Sequence, residues 1–200
     1  MLKVSCLTSA SASPVSFDLA RGEILAVQGA SGAGKSLMLR AIADLDPAQG
    51  DVFLEGRARA EFSGPQWRQL VGYVPAEPGW WAEDIGQHFS APQAVIALMG
   101  KLDLDPAILE KPVIQASTGE RARLALVRAL SRNPRVLLLD EPTSALDHAR
   151  TLAVEALIAD LAASGLSVVW VTHDSAQAKR ISNRCLIVTA RNGSTGQAAS

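Results

Sequence analysis

Eight consecutive residues, Gly29, Ala30, Ser31, Gly32, Ala33, Gly34, Lys35 and Ser36, match the phosphate-cradling pattern G-x-x-x-x-G-K-[S/T] in full. Glycines let a backbone come close to a phosphate, and its amides then surround the phosphate oxygens. The helix start that follows, with Leu37 inside it, adds favourable partial charge. In this pattern Lys35 reaches the β- and γ-phosphates of a nucleotide, and the Ser36 hydroxyl is a ligand for Mg2+. A second pattern complements the first. The apolar run 136–139 ends in Asp140 and Glu141. An aspartate at a buried strand end holds Mg2+, usually through water, and the glutamate after it faces the γ-phosphate and orients or polarises an attacking water. The competing reading is a helix N-cap at Asp140 with a first-turn glutamate. Two acids after an all-apolar strand, in a chain that carries the phosphate loop, weigh against it. His173 follows the apolar run 168–171. At that place it is either a hydrogen-bond donor to the γ-phosphate or an ordinary satisfied histidine.

The elements that must position these groups are legible around them. Residues 24–28 read as a strand feeding the glycine loop, and 37–43 as the helix leaving it. Residues 2–7 and 14–19 read as short strands joined by a small polar loop, and 50–55 as an edge strand. Residues 65–70 open as a helix with proline early in it, and 71–74 form a strand that stops before Pro75. Five prolines (Pro75, Pro78, Pro92, Pro106 and Pro112) punctuate the next stretch, which reads as a small helical insert at about 76–116. Residues 118–131 follow as a strong helix, its apolar stripe at Leu124, Ala125 and Val127, with Arg121, Arg123 and Arg128 elsewhere. Residues 152–163 form a helix closed by Gly165; 136–139 and 168–171 are buried-type strands, and 186–189 a last one. The tail from Arg191 reads as frayed. Alternating strands and helices imply an α/β domain with a mostly parallel sheet flanked by helices, and a crevice at the carboxyl ends of its strands.

Two hundred residues fit one domain. The net charge of −1, with both signs interspersed, gives no extended nucleic-acid surface. Arg57, Arg59 and Arg68 cluster locally and read as a solvated face. Two cysteines, Cys6 and Cys185, have no metal-ligand spacing and suggest a reducing compartment. No apolar run is long enough to cross a membrane, and the first twenty residues make a poor signal peptide. The expectation is a cytoplasmic chain, linked to a membrane through a partner.

Three blocks together resemble ATP-binding cassette (ABC) transporter ATPase subunits. Gly29 to Ser36 matches their phosphate loop. The run Arg135-Val136-Leu137-Leu138-Leu139-Asp140-Glu141-Pro142-Thr143-Ser144-Ala145-Leu146-Asp147 is similar to their magnesium-site strand and D-loop, and Val171-Thr172-His173-Asp174 to their switch-histidine loop. The blocks lie in family order and the resemblance spans nearly the whole chain. It implies a P-loop NTPase of the ABC type, with a small antiparallel β part and a short helical subdomain. It also implies a homodimer closing head-to-tail on two Mg-ATP and driving a separately encoded permease on the inner face of the membrane. Within that resemblance Glu141 is the general base, His173 the γ-phosphate sensor and Asp147 the D-loop aspartate that crosses the dimer interface. The signature, usually L-S-G-G-Q, is Ala116-Ser117-Thr118-Gly119-Glu120 here. Ser117 and Gly119 would touch the partner chain's γ-phosphate. The phrase 168–174 and the small size resemble the iron-export subgroup.

The same resemblance exposes departures. Thr118 replaces a glycine: strained if the position needs positive φ, an added donor if it does not. The Q-loop glutamine is Ala76, with Glu77 beside it, which lowers the expected hydrolysis rate. The region 6–13 has no aromatic to stack on adenine. Only 105 positions separate Lys35 from Asp140. Trp80 and Trp81 lie where such cassettes receive the permease. The alternatives are a regulatory cassette with weak turnover and a soluble cassette outside transport.

Overall fold

The computed structural model describes residues 1–9, 13–91 and 95–190. The chain runs β1 (Leu2–Thr8), β2 (Val15–Leu19), β3 (Ile24–Gln28), α1 (Lys35–Ile42), β4 (Gln49–Leu54), β5 (Arg57–Ala58), α2 (Gly64–Leu70) and β6 (Val71–Val74). It continues with α3 (Ile96–Lys101), α4 (Thr118–Leu130), β7 (Val136–Asp140), α5 (His148–Ala163), β8 (Ser167–Val171), α6 (Ser175–Ile181) and β9 (Cys185–Ile187).

Two sheets result. The antiparallel one has the order β2-β1-β4-β5, and the parallel one β6-β7-β8-β3-β9. Strands β7 and β8 are buried at every residue. They are continuous apolar runs because helices or a second sheet cover both of their faces. Alternation along the strands sorts their side chains into two cores. Leu138, Val169 and Val171 face one with the antiparallel sheet, α1 and Trp67 of α2. Leu137, Leu139, Val168 and Trp170 face the other with α4, α5 and the segment between β6 and α4.

The parallel order places β7, β8 and β3 side by side, so their carboxyl ends share one edge. Asp140 ends β7, His173 follows β8 and the glycine loop follows β3. A parallel sheet collects ligands in the crevice outside such ends.

Several expectations need correction. Strand β4 is not an edge, since it pairs with β1 on one side and the two-residue β5 on the other. Helix α5 starts at His148 rather than at 152, because the Asp147 side chain caps it by accepting from Arg150 N–H at 2.8 Å. Strand β9 lies at Cys185–Ile187 rather than 186–189. Arg123 turns inward instead of lying off the apolar stripe. It is 5% exposed and donates to the carbonyls of Leu102 and Asp103, at 2.6 and 2.7 Å. Between β6 and α4 the described helical pieces are α3, six residues long, and the 3-10 turns Ile85–His88, Pro106–Glu110 and Val113–Gln115. The arginine cluster is solvent-facing and paired: Arg57 with Glu61, Arg59 and Arg68 with Asp44. The frayed tail from Arg191 and the middle of the polar loop before β2 lie outside the described residues.

Candidate functional site

A cleft of about 610 Å³ opens at that sheet edge, lined by Gly29, Ser31, Gly32, Gly34, Lys35, Ser36, Leu37, Glu141 and His173. The loop is shaped by glycine. Gly32 and Gly34 have φ of 75° and 91°, and a Cβ on Gly29 would lie 2.2 Å from the Val188 carbonyl oxygen. Nothing lies within 4 Å of a Cβ on Gly32, which faces open space. No side chain caps α1 at Gly34. Its first amides are therefore available to an anion, where the helix dipole favours negative charge. Ala33 is 2% exposed and packs into the core, so its contribution to a ligand is its backbone. Ala30 sits exposed on the loop. Lys35 is 9% exposed, and its ammonium donates to the carbonyls of Gly29 and Ala30, both at 2.9 Å.

Glu141 is held in an unusual backbone state. Its φ is +48°, and its N–H donates to the Val171 carbonyl at 3.1 Å. Left-handed geometry at a non-glycine residue costs about 1–3 kcal/mol and persists where the surroundings enforce it. Here the end of β8 enforces it. His173 Nδ1 lies 3.2 Å from Glu141 Oε2, so the two side chains meet at the mouth of the cleft.

Asp140 does not line the cleft surface. It is 4% exposed, the last residue of β7, and not a helix cap. The Tyr73 hydroxyl donates to its Oδ2 at 3.2 Å. Burial, and then the Asp140 charge, push the Tyr73 phenol well above its ordinary range, so it stays protonated. A hydroxyl at Ser36 and a carboxylate at Asp140 are hard oxygen donors. One or two protein oxygens completed by phosphates and water suit Mg2+. No cluster of three or more His, Cys, Asp or Glu exists among the described residues. Ser36 and Asp140 are the oxygen donors such a metal would take from the protein.

Ser117, Gly119 and Asp147 are not brought to this cleft within one chain. Ser117 is the N-cap of α4: its hydroxyl accepts from Glu120 N–H at 3.2 Å, while Glu120 Oε2 accepts from Ser117 N–H at 2.8 Å. This reciprocal box explains the glutamate at that place. Its bonds to Ser117, side chain first, hold the Glu120 carboxyl below its usual range. Thr118 is the first helical residue and is not among the positive-φ residues, so it carries no such strain. Its hydroxyl accepts from Arg121 at 3.4 Å. Asp147 caps α5 and pairs with Arg150, which also reaches Asp103 at 3.2 Å. The Arg150 amide, then its guanidinium, lower the Asp147 carboxyl.

Sequence reasoning missed two polar residues that hold this frame. One is Tyr73. The other is Gln177 of α6, 3% exposed, which donates at 2.9 Å to Thr143 Oγ1 and at 2.9 Å to Glu155. It ties the helix after His173 to the loop after Glu141. A lone glutamine carries no sequence signal for this, whereas Tyr73 stands opposite Leu138 in a strand pair and was reachable by register.

Trp80 and Trp81 form a surface cluster. Arg128 of α4 lies 4.7 Å from each ring centroid, and His88 packs edge-on against both at 4.8 and 4.6 Å. His88 Nε2 accepts from the amides of Trp81 and Ala82, at 3.0 and 3.1 Å. Trp81 is 67% exposed.

The fold and cleft define a P-loop nucleotide-binding protein. The ABC transporter family profile matches residues 12–144, and the chain belongs to that family. Protein STAR1 of Oryza sativa subsp. japonica is 38% identical over 187 residues, 87% of this chain and 54% of that protein. The Fe(3+) ions import ATP-binding protein FbpC of Pseudomonas fluorescens is 32% identical over 87% of this chain and 53% of its own length. The chain thus spans about half the length of these relatives. The solved structure of an ATP-binding subunit of an ABC transporter superposes with a TM-score of 0.84 at 24% identity, covering 94% of this chain and 86% of that one. A dimeric cassette in a post-hydrolysis state, bound to ADP and Pi, gives 0.77 at 23% identity, covering 94% of each. These two likenesses establish the ABC ATPase fold.

Proposed function

We propose that this chain is the ATP-hydrolysing subunit of an ABC transporter, working as a head-to-tail pair that drives a separate membrane permease. The observation that carries the reading is the convergence of Lys35, Ser36, Glu141 and His173 on one cleft at the carboxyl edge of the parallel sheet. Loop amides and Lys35 bind the β- and γ-phosphates. Ser36 and Asp140 hold Mg2+, which supplies charge neutralisation on the phosphate oxygens when bound. Glu141 takes a proton from the attacking water, and His173, within reach of Glu141, donates to the γ-phosphate. Water adds to the γ-phosphorus as the bond to the β-phosphate oxygen breaks, giving ADP and phosphate.

Ser117 and Gly119 lie outside their own chain's cleft and complete the site of a second copy, with Asp147 at the same interface. The dimeric cassette similar to this chain supports that arrangement. We read residues 76–116 as the helical subdomain of a single cassette, with Trp80 and Trp81 facing the permease. Through that permease the chain sits on the cytoplasmic side of the membrane. Among the described residues, no helix is long and apolar enough to cross it. The finer likeness to iron-export cassettes draws no support from a relative named for Fe(3+) import; that name favours import.

The test is assembly. With Mg-ATP, Glu141→Gln is expected to elute from size exclusion as a dimer, and Glu141→Gln with Ser117→Phe as a monomer. Assembly indifferent to ATP or to Ser117 contradicts the composite site.

A further inference from the structure

Asp140 is the more enclosed of the two carboxylates at the end of β7. Among the described residues, a single side chain, Tyr73, bonds to it. The contact follows from register. Tyr73 on β6 stands opposite Leu138 on β7. Leu138 and Asp140, two residues apart, project from the same face of the strand. A phenol is long enough to pass its neighbour and meet the next carboxylate along that face. The Tyr73 ring packs against the core beneath the antiparallel sheet. The hydroxyl is therefore carried on an anchored ring, not on a mobile stem. The loop that follows β6 offers a methyl at Ala76 and no ligating group there.

We propose that Tyr73 is a positioning residue for the metal-binding carboxylate: its hydroxyl fixes Asp140 Oδ2 and leaves Oδ1 as the oxygen presented toward the metal. The inference rests on the proposed assignment of Asp140 to Mg2+. The hydroxyl donates one hydrogen bond and takes no part in proton transfer. Its effect falls on metal affinity and not on the phosphate loop, which lies on another strand.

The test is a Mn2+ titration followed by electron paramagnetic resonance, with saturating ADP on the chain. Tyr73→Phe keeps the ring and its packing and removes the hydroxyl. It is expected to weaken Mn2+ binding by roughly tenfold to a hundredfold, the usual cost of losing a hydrogen-bond partner of a metal ligand. ADP affinity in EDTA should stay within about twofold, since loop contacts are independent of this bond. In an Asp140→Ala background Tyr73→Phe should add no further loss, because the carboxylate that Tyr73 positions is already absent. Unchanged or tighter Mn2+ binding by Tyr73→Phe, with or without a lower melting temperature, overturns the inference. Additive losses in the double variant overturn it too. If the unaltered chain binds ADP with no help from Mn2+, the assignment of the metal site itself fails, and this inference with it.

Discussion

Glu141, the proposed general base, sits in a left-handed backbone state whose cost can be measured. The phosphate loop and the Asp140-Glu141 pair were legible because their chemistry demands fixed residue types at fixed spacing. The left-handed backbone at Glu141 was not, because a glutamate announces no φ and the constraint comes from β8, thirty positions away in the chain. Glu141→Gly is expected to abolish hydrolysis yet raise folding stability by about 1 kcal/mol, through relief of that strain. Denaturant unfolding checks the gain. Thr118 behaves oppositely. The resemblance left open whether it was strained, and its place as first residue of α4 answers that. Thr118→Gly should lower stability slightly, by about 0.5 kcal/mol at most, through backbone entropy. A gain on the same unfolding curve would show hidden strain.

At the scale of elements, caps set the boundaries and sequence pattern alone misplaced one of them. Apolar periodicity suggested a start at 152 for α5, while the Asp147 cap adds a turn before it. Strand β5 and the 3-10 form of the insert's short helical pieces were not legible, because two to five residues leave no period to read. Three helix-capping acids are held below their ordinary values: Glu120 by Ser117, Asp147 by Arg150, and Asp174 by the Gln177 and Ala176 amides. For a depressed carboxyl, the stabilisation is complete above the unfolded value and is lost as pH falls through the folded one. The caps of α4, α5 and α6 should therefore weaken below pH 4.5 for Glu120 and below 3.8 for the two aspartates. Melting temperatures taken from pH 6 to pH 3 check this. Glu120→Gln, which keeps the capping oxygen without the titration, should flatten part of the fall. In the insert, one ring nitrogen of His88 accepts from the amides of Trp81 and Ala82. His88→Leu leaves two amides unsatisfied and should cost about 2 kcal/mol or more. His88→Asn restores an acceptor and should recover part of that, while acrylamide quenching of exposed Trp81 reports the loop.

Across the whole molecule, two cores clamp one parallel sheet and fix the three strand ends that carry Asp140, His173 and the glycine loop. That arrangement was legible from the order of apolar runs and their terminal polar residues. The inner place of β4 and the inward turn of Arg123 were not, since pairing partners and buried guanidinium contacts are tertiary facts. One chain carries the glycine-loop cleft, while its Ser117 and Gly119 lie outside that cleft's lining. The central claim is that Glu141 activates water for hydrolysis in that cleft, and phosphate release at saturating Mg-ATP tests it most directly. The unaltered chain should turn over. Glu141→Gln should bind ATP equally well and release phosphate at least about 100-fold more slowly, the contribution of a positioned general base. Equal rates in the two proteins, or no turnover in either with ATP bound, would contradict it.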